Sequence, residues 1–502
     1  MRKILIILFV CFLSTILFGC NDSTINQYKI TFNSNGGTEV PSIIQNYNTQ
    51  VTKPTDPTKT GYTFMGWYSD SNLTTNYNFT TMPKENITLY AKWLVFSDEG
   101  LSYIPLEDNT CSVSGYSGTT PNVIIPRVHN ECLVTRISDN VFKGVTSLKR
   151  VIIPNSVTTI GYSAFLGATS LTTVIFEEGS QLTTIGYRAF YIATSLTNIT
   201  VPDSVTIIEP LAFEGATSLT TVIFEEDSQL TTIGEHVFNG TSIISITIPK
   251  NVTKIGSGAF TVRSFTNIVV DVDNPMFSSI DGVLFNKDQT LLISYPASKK
   301  EITYTIPDSV TEIGFCAFLN AKNLTNIIIP NSVTEIGGKA FSRTDSLTSI
   351  TIPNSVTTIG DNAFFLTTSL GTVIFEEDSQ LTTIGDYVFE EATSLRSITI
   401  PNSVTTMGNY AFIGAKNLTT VIFEEGSQLT TLGITVFSST SLTSIIITAN
   451  TPPSIDTFIN PNYSNLLGVS NSNLKIYVPS DYVDDYKEAW PCYDSNIYPI
   501  SS

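Results

Sequence analysis

The sequence predicts a mainly β chain, a stacked solenoid of about 13–15 rungs behind a small β module. The first observation is a phrase rewritten between Phe142 and Phe437. It runs apolar strand, Asn-Ser-Val-Thr or Ser-Gln-Leu-Thr, Ile-Gly, two variable residues, then Ala-Phe or Val-Phe. The closing phenylalanine falls at 142, 165, 190, 213, 238 and 260, then at 318, 341, 364, 389, 412 and 437. The spacing is 22, 23 or 25 residues, with one gap of 58. The second observation is that Leu347, Ile350, Ile352, Val356, Ile359 and Phe364 of one copy must all point inward together. Stacked copies then form columns of like side chains, each rung burying its apolar edge only against its neighbours. The third is that residues 28–94 abandon the phrase for alternating aromatic strands.

From the N-terminus, Met-Arg-Lys, an apolar run from Ile4 to Phe18 and Gly19 read as a secretory signal over residues 1–19. Leu17-Phe18-Gly19-Cys20 resembles a bacterial lipobox, which implies lipidation of Cys20 and a polar tether over residues 20–27. Lipid at Cys20 is then the only expected membrane attachment, and the expected location is the bacterial cell surface. In residues 28–94, Tyr28, Ile30 and Phe32 alternate as a strand, and Asn33-Ser-Asn-Gly-Gly37 marks a turn. Gly61-Tyr-Thr-Phe-Met-Gly-Trp-Tyr68 and Leu89-Tyr-Ala-Lys-Trp93 follow. This stretch resembles the Listeria–Bacteroides repeat, the internalin-type B-repeat, which implies a small β-grasp-like module used as a stalk or binding unit. In so short a module its aromatics are expected in the core rather than as sugar platforms.

Residues 95–135 and 451–502 are expected to cap the two ends of the solenoid, the latter with a strand at Leu474–Pro479 and a short helix from Tyr482 to Trp490. Between them, residues 136–450 carry the rungs, with a longer unit at 261–317 that reads as a hairpin bulging from the coil. The recurring Leu-x-x-Ile-x-Ile-Pro-x-Ser-Val-Thr-x-Ile-Gly-x-x-Ala-Phe resembles the BspA-type leucine-rich repeat family over residues 122–500. That resemblance implies a leucine-rich-repeat solenoid and adhesion to host proteins, extracellular matrix or other cells. The glycines at 161, 186, 234, 256, 314, 337, 360, 385, 408 and 433 are expected to supply positive φ in a turn.

Between the inward columns, one strand position faces out: Ile152, Ile175, Thr200, Ile223, Thr247, Ile328, Thr351, Ile374, Thr399 and Ile422. With flanking Thr, Ser and Asn they make a nearly uncharged apolar-hydroxyl sheet face, the candidate binding surface. Its expected partner is a protein, with a glycan as the second class and a structural envelope role as the alternative function. β-branched residues also favour strands for packing reasons alone. Acidic pairs at Glu177-Glu178, Glu225-Glu226, Glu376-Glu377 and Glu424-Glu425 recur every 48 residues within each half and read as a solvated edge.

A net charge of −18 repels phosphate backbones, so nucleic acid is excluded as a partner. No metal, cofactor or catalytic site is expected: only His129 and His236 occur, no nucleophile or phosphate-loop motif appears, and Asp271-Val-Asp273-Asn274-Pro275 lacks the register of a Ca²⁺ loop. His236 reads as an exposed turn residue. Of the remaining cysteines, Cys111 and Cys132 are placed where pairing is open, and Cys316 reads as a buried thiol.

Overall fold

The computed structural model describes residues 27–59, 62–95, 97–455, 467–469 and 473–500. The expected signal, Cys20 and nearly all of the tether lie outside them. Two compact units divide at Ser97 and Asp98.

The first unit is a four-stranded sheet in the order Ile43–Asn46, Gln27–Asn33, Ile87–Val95, Tyr62–Tyr68. The two central strands run parallel, Ile30 beside Ile87 and Phe32 beside Leu89. Ile30, Phe32, Trp67, Met82 and Leu89 are buried. Phe32 lies 4.7 Å from Trp67, and Phe64 lies 5.4 Å from Trp93 between ring centroids. Trp93 donates its Nε1–H to the Ser34 carbonyl at 2.7 Å. The aromatics are thus mainly core, as expected; Tyr47 and Tyr62 are the exposed exceptions.

The second unit is a parallel β solenoid with two ladders. One uses two-residue strands such as Thr159–Ile160, whose Thr stacks on Thr184 and whose Ile stacks on Ile185. It forms a nine-stranded sheet before the long unit and a ten-stranded sheet from it onward. Threonine is abundant here for a reason visible in the bonding. Thr158, Thr183, Thr206 and Thr231 each donate a hydroxyl to the carbonyl of the previous rung, at 3.0–3.1 Å. Phenylalanines 142, 165, 190, 213 and 238 stack face to face at centroid distances from 4.9 to 5.9 Å, close to the spacing of paired strands. A second stack begins at Tyr295 and runs from Phe318 through Phe437. The buried core divides at the same place into two clusters.

The recurring glycines depart from expectation. None of the ten has positive φ; the left-handed residue sits two places later, at Ser163, Arg188, His236, Gly258, Cys316, Lys339, Asn362, Tyr387, Tyr410 and Thr435. The glycine is demanded instead by close approach to the rung before it. A Cβ at Gly360 would lie 2.6 Å from the Gly338 nitrogen, and one at Gly408 would lie 2.4 Å from the Gly385 carbonyl carbon. Glu209 stands at this position in one rung and reaches back with its carboxylate to accept the Tyr187 N–H at 2.6 Å.

The long unit contains the hairpin expected of Ser279–Asp288 with Thr290–Pro296, as Val283–Asn286 against Leu291–Ser294, and Phe277–Ile280 adds a further antiparallel strand beside Val283–Asn286. Asn274, fully buried, pins it to the preceding rung. Its amide donates to the Pro249 and Val252 carbonyls, and its Oδ1 accepts the Met276 and Phe277 N–H groups. At the C-terminal end, strand Lys475–Val478 and helix Val483–Ala489 take the places expected of them, and Ile497–Pro499 adds a final parallel strand.

Candidate functional site

The outward sheet is built from the other ladder, whose strands carry a buried residue between two facing solvent. Unlike the Thr-Ile ladder it is discontinuous. Arg150–Ile153 pairs with Thr173–Phe176 and with Asn122–Ile124. The next strands pair only in twos: Asn198–Val201 with Thr221–Phe224, Ser245–Ile248 with Asn267–Val270, Thr303–Thr305 with Asn326–Ile328, and Ser349–Ile352 with Thr372–Phe375. From Ser397 onward, five strands pair continuously. Three openings, after Phe176, Phe224 and Phe375, follow the longer Phe-Glu-Glu turns; a fourth follows Ile328, and a fifth follows Val270 at the long unit.

The candidate residues differ in how far they face solvent. Ile223, Ile328 and Ile374 each lie on a strand that borders an opening, and they are 52%, 48% and 50% exposed. Thr200, Thr247, Thr351 and Thr399 are exposed as well. Ile175 and Ile422 are half-buried. Ile152 is not a surface residue: it is 5% exposed, on the middle strand of an unbroken trio with Ile124 and Ile175 in register on either side. The three most exposed isoleucines all lie on strands paired on one side only, although Ile175, also on such a strand, is half-buried.

Two of the openings are grooves. One, of about 540 Å³, runs between Thr221–Ser228 and Ser245–Lys250, floored by Ile223 with Thr221, Ser245 and Thr247 along it. The other, of about 270 Å³, lies between Gly371–Phe375 and Ser397–Thr399. The larger groove sets Ile223 and its hydroxyls beside an acidic end formed by Glu225, Glu226, Asp227 and Asp271. Such grooves suit an extended or flat partner surface.

The acidic turns prove to be fastenings as well as an edge. Oε2 of Glu177, Glu225, Glu376 and Glu424 accepts the N–H of Asn155, Asp203, Asn354 and Asn402 in the previous rung, at 3.1–3.3 Å. Their second carboxylates point no cation site: among the described residues no group of His, Cys, Asp and Glu has metal-holding geometry. Lys250 is tied to Asp227 at 3.2 Å.

His129 stacks on Tyr103 at 3.8 Å. His236 corrects its expectation: it is half-buried at a φ of 51°, and its Nδ1 is buried without a hydrogen-bond partner. The four described cysteines are free thiols. Cys111 donates to the Cys132 carbonyl at 3.6 Å, and burial, then the neighbouring Cys132, raises its pKa. Burial pushes the Cys316 thiol up to about 12, as suits an inert core thiol.

A stack of short parallel strands closed by a phenylalanine column defines a bacterial-type leucine-rich-repeat solenoid. Six copies of the BspA type leucine rich repeat region match residues 135–266, 294–381 and 339–467, together more than half of the sequence. The chain belongs to the BspA-type leucine-rich repeat family. Residues 28–92 match the Listeria-Bacteroides repeat domain. Both are repeat families, and no catalytic family is among the matches.

Among solved structures, the pneumococcal vaccine antigen PcpA is similar at 22% identity and a TM-score of 0.60, over 81% of this chain and 98% of that one; this shows the fold alone. A leucine rich cell surface protein of Faecalibacterium prausnitzii is 26% identical, with a TM-score of 0.52, over 75% of this chain and 98% of its own. Among curated relatives, Internalin H of Listeria monocytogenes is 42% identical over 72 residues, 14% of this chain and 13% of the relative. A putative Gly-rich membrane protein of Evansella cellulosilytica is 46% identical over 70 residues, 14% of this chain and 8% of its own length.

Proposed function

We propose that the chain is a bacterial cell-surface binding protein, anchored by lipid at Cys20, that presents its open sheet face to protein partners on host tissue, matrix or neighbouring cells. The observation that carries this is the row of bare isoleucines, Ile223, Ile328 and Ile374, on a face otherwise lined with Thr, Ser and Asn. Each exposes about half of a large apolar side chain to water, on a strand paired on one side only. The cell-surface and membrane descriptions of the relatives support the location. Among the described residues no helix is long and apolar enough to cross a membrane. A second reading, contact with glycan, is favoured by the hydroxyls of Thr221, Ser245 and Thr247 along the larger groove.

The test is a binding screen of the purified chain against immobilised matrix proteins beside a glycan array. Any partner found is then rechallenged with an Ile223→Lys, Ile328→Lys, Ile374→Lys variant. Three cations desolvated in a docked interface are expected to weaken binding about a hundredfold or more. Since those side chains contribute little to the core, melting should shift only slightly. Full-strength binding by a folded triple variant would remove the sheet face from the reading. Hits confined to the glycan array would move the assignment to the second reading. Cys20→Ala should shift the protein from the membrane fraction into the medium, and retention through a carbonate wash would show that another attachment holds it.

A further inference from the structure

The long unit interrupts more than the sequence period. The Thr-Ile ladder stops at Lys254–Ile255 and resumes at Leu291–Ser294, which pairs with Glu312–Ile313. Between the two ends lies a cavity of about 270 Å³ with Phe260, Phe277, Leu291 and Ile293 in its walls and Glu312 among its lining.

Three features of this cavity have no counterpart elsewhere in the array. The first is a pair of backbone donors. In regular rungs the N–H groups two places before the phenylalanine and at the phenylalanine itself bond the next rung. Cys316 donates to Gly338 at 3.0 Å and Phe318 to Ala340 at 2.7 Å; His236 and Phe238 do the same to Ser257 and Ala259. The equivalent donors at the junction are the N–H groups of Gly258 and Phe260, and among the described residues neither has a partner. Gly258 and Phe260 both line the cavity, so two backbone donors at the ladder's end border it without a protein acceptor among the described residues.

The second feature is the carboxylate. The first position of this ladder is threonine at 159, 184, 232, 358, 383, 406 and 431, yet at the junction it is Glu312 with Glu335 in register beside it. Like charges on neighbouring strands repel. Among the described residues neither carboxylate is in an ion pair. Burial, then Glu335, raises the Glu312 pKa above the usual carboxylate value. The third is that Phe260, Phe277, Leu291 and Ile293 line the same cavity as the donors and Glu312, and such apolar surface suits a methylene stem better than a small hydrophilic ion.

We propose that this junction is a binding site for a basic side chain, arginine or lysine, carried on an extended segment of a protein partner. Two carbonyls of that segment, two residues apart, accept the Gly258 and Phe260 N–H bonds as the next rung's carbonyls do elsewhere. The side chain's stem lies against Phe260 and Leu291, and its cationic head meets Glu312 with the charge of Glu335 behind it. The site is independent of the open sheet face, which lies on the other ladder.

The experiment follows the Gly258 and Phe260 amide resonances of the isotope-labelled full chain. The titrants are acetyl-Gly-Arg-Gly-amide and its norleucine and glutamate counterparts. Saturable shifts of both amides by the arginine peptide are expected, with a dissociation constant on the order of 1 mM, as fits so small a contact. The norleucine peptide should bind about tenfold more weakly and the glutamate peptide more weakly still. Glu312→Gln should reduce arginine binding to the norleucine level while leaving norleucine binding unchanged. If that variant fails to fold, Glu335→Gln, outside the cavity lining, carries the same comparison. Amides that stay still, equal shifts from all three peptides, or indifference to these substitutions would each overturn the proposal. Ile223→Lys should leave the titration untouched, which separates failure here from failure of the sheet-face reading.

Discussion

At the scale of single residues, glycine does two different jobs in this chain, and only one is conformational. Gly426 is left-handed at φ 77°, and nothing lies within 4 Å of where a Cβ would be. Asp227 and Asp378 hold the equivalent turn position at φ 59° and 58°. Gly360 is the other kind: its φ is ordinary, but a Cβ there would collide with backbone of the rung below. Backbone cannot swing aside as a side chain can, so the rungs must separate locally. Gly360→Ala is expected to cost about 1–3 kcal/mol, the usual range for overpacking. Gly426→Asp should stay within about 0.5 kcal/mol, as for a tolerated surface change. Urea unfolding of the two variants gives the comparison, and equal costs would refute the close-approach account. The sequence shows that glycine recurs after Ile; it does not show which neighbour forbids a Cβ, because that neighbour lies a whole rung away.

At the scale of elements, the inward columns, the hairpin and the terminal helix are legible because each rests on local apolar pattern. The openings in the outward ladder are not. Thr-Val-Ile-Phe at 173–176 and at 420–423 is the same tetrapeptide, yet the first borders an opening and the second is paired on both sides. Strand pairing across rungs depends on how the intervening turns space the backbones, and residue identity within the strand does not carry that. Ile152 and Ile223, alike in sequence context, end at opposite extremes of exposure. Asn274 was equally hidden. Its neighbours Asp271 and Asp273 draw attention as carboxylates, whereas the buried residue of the run is the amide, because only an amide can both give two hydrogen bonds and accept two. Asn274→Ala removes all four bonds and leaves the carbonyls of Pro249 and Val252 facing a small void. A loss of about 3 kcal/mol or more is expected, since each stranded buried group costs about 1–3. Asn274→Asp keeps the acceptor and loses the donors, so it should also destabilise. A neutral Asn274→Ala would mean that the long unit is held by its hairpin alone.

At the scale of the whole chain, the repeat region is one solenoid in topology and two in packing. The phenylalanine stack ends at Phe260, restarts at Tyr295, and the core divides with it. In an array whose contacts run only between neighbours, a defect spreads as far as coupling between rungs remains strong. Within a half, stacked rings, the Thr-Ile ladder and threonine bonds all connect one rung to the next; across the long unit the ladder and the ring stack both lapse. Phe364, fully buried between Phe341 and Phe389, is the place to test this. Phe364→Ala should cost about 3–5 kcal/mol, the penalty for emptying an aromatic core site. Hydrogen exchange should then rise in the rungs around residues 341–389 and fall off toward the C-terminal cap. Protection of residues 140–255 should remain at the wild-type level, because the weakened coupling at the long unit stops the loss from passing. Phe190→Ala is the mirror experiment, sparing residues 318–437. Uniform loss of protection across both halves in either variant would show that the junction transmits stability as well as any other rung, and the division of the core would then have no energetic meaning.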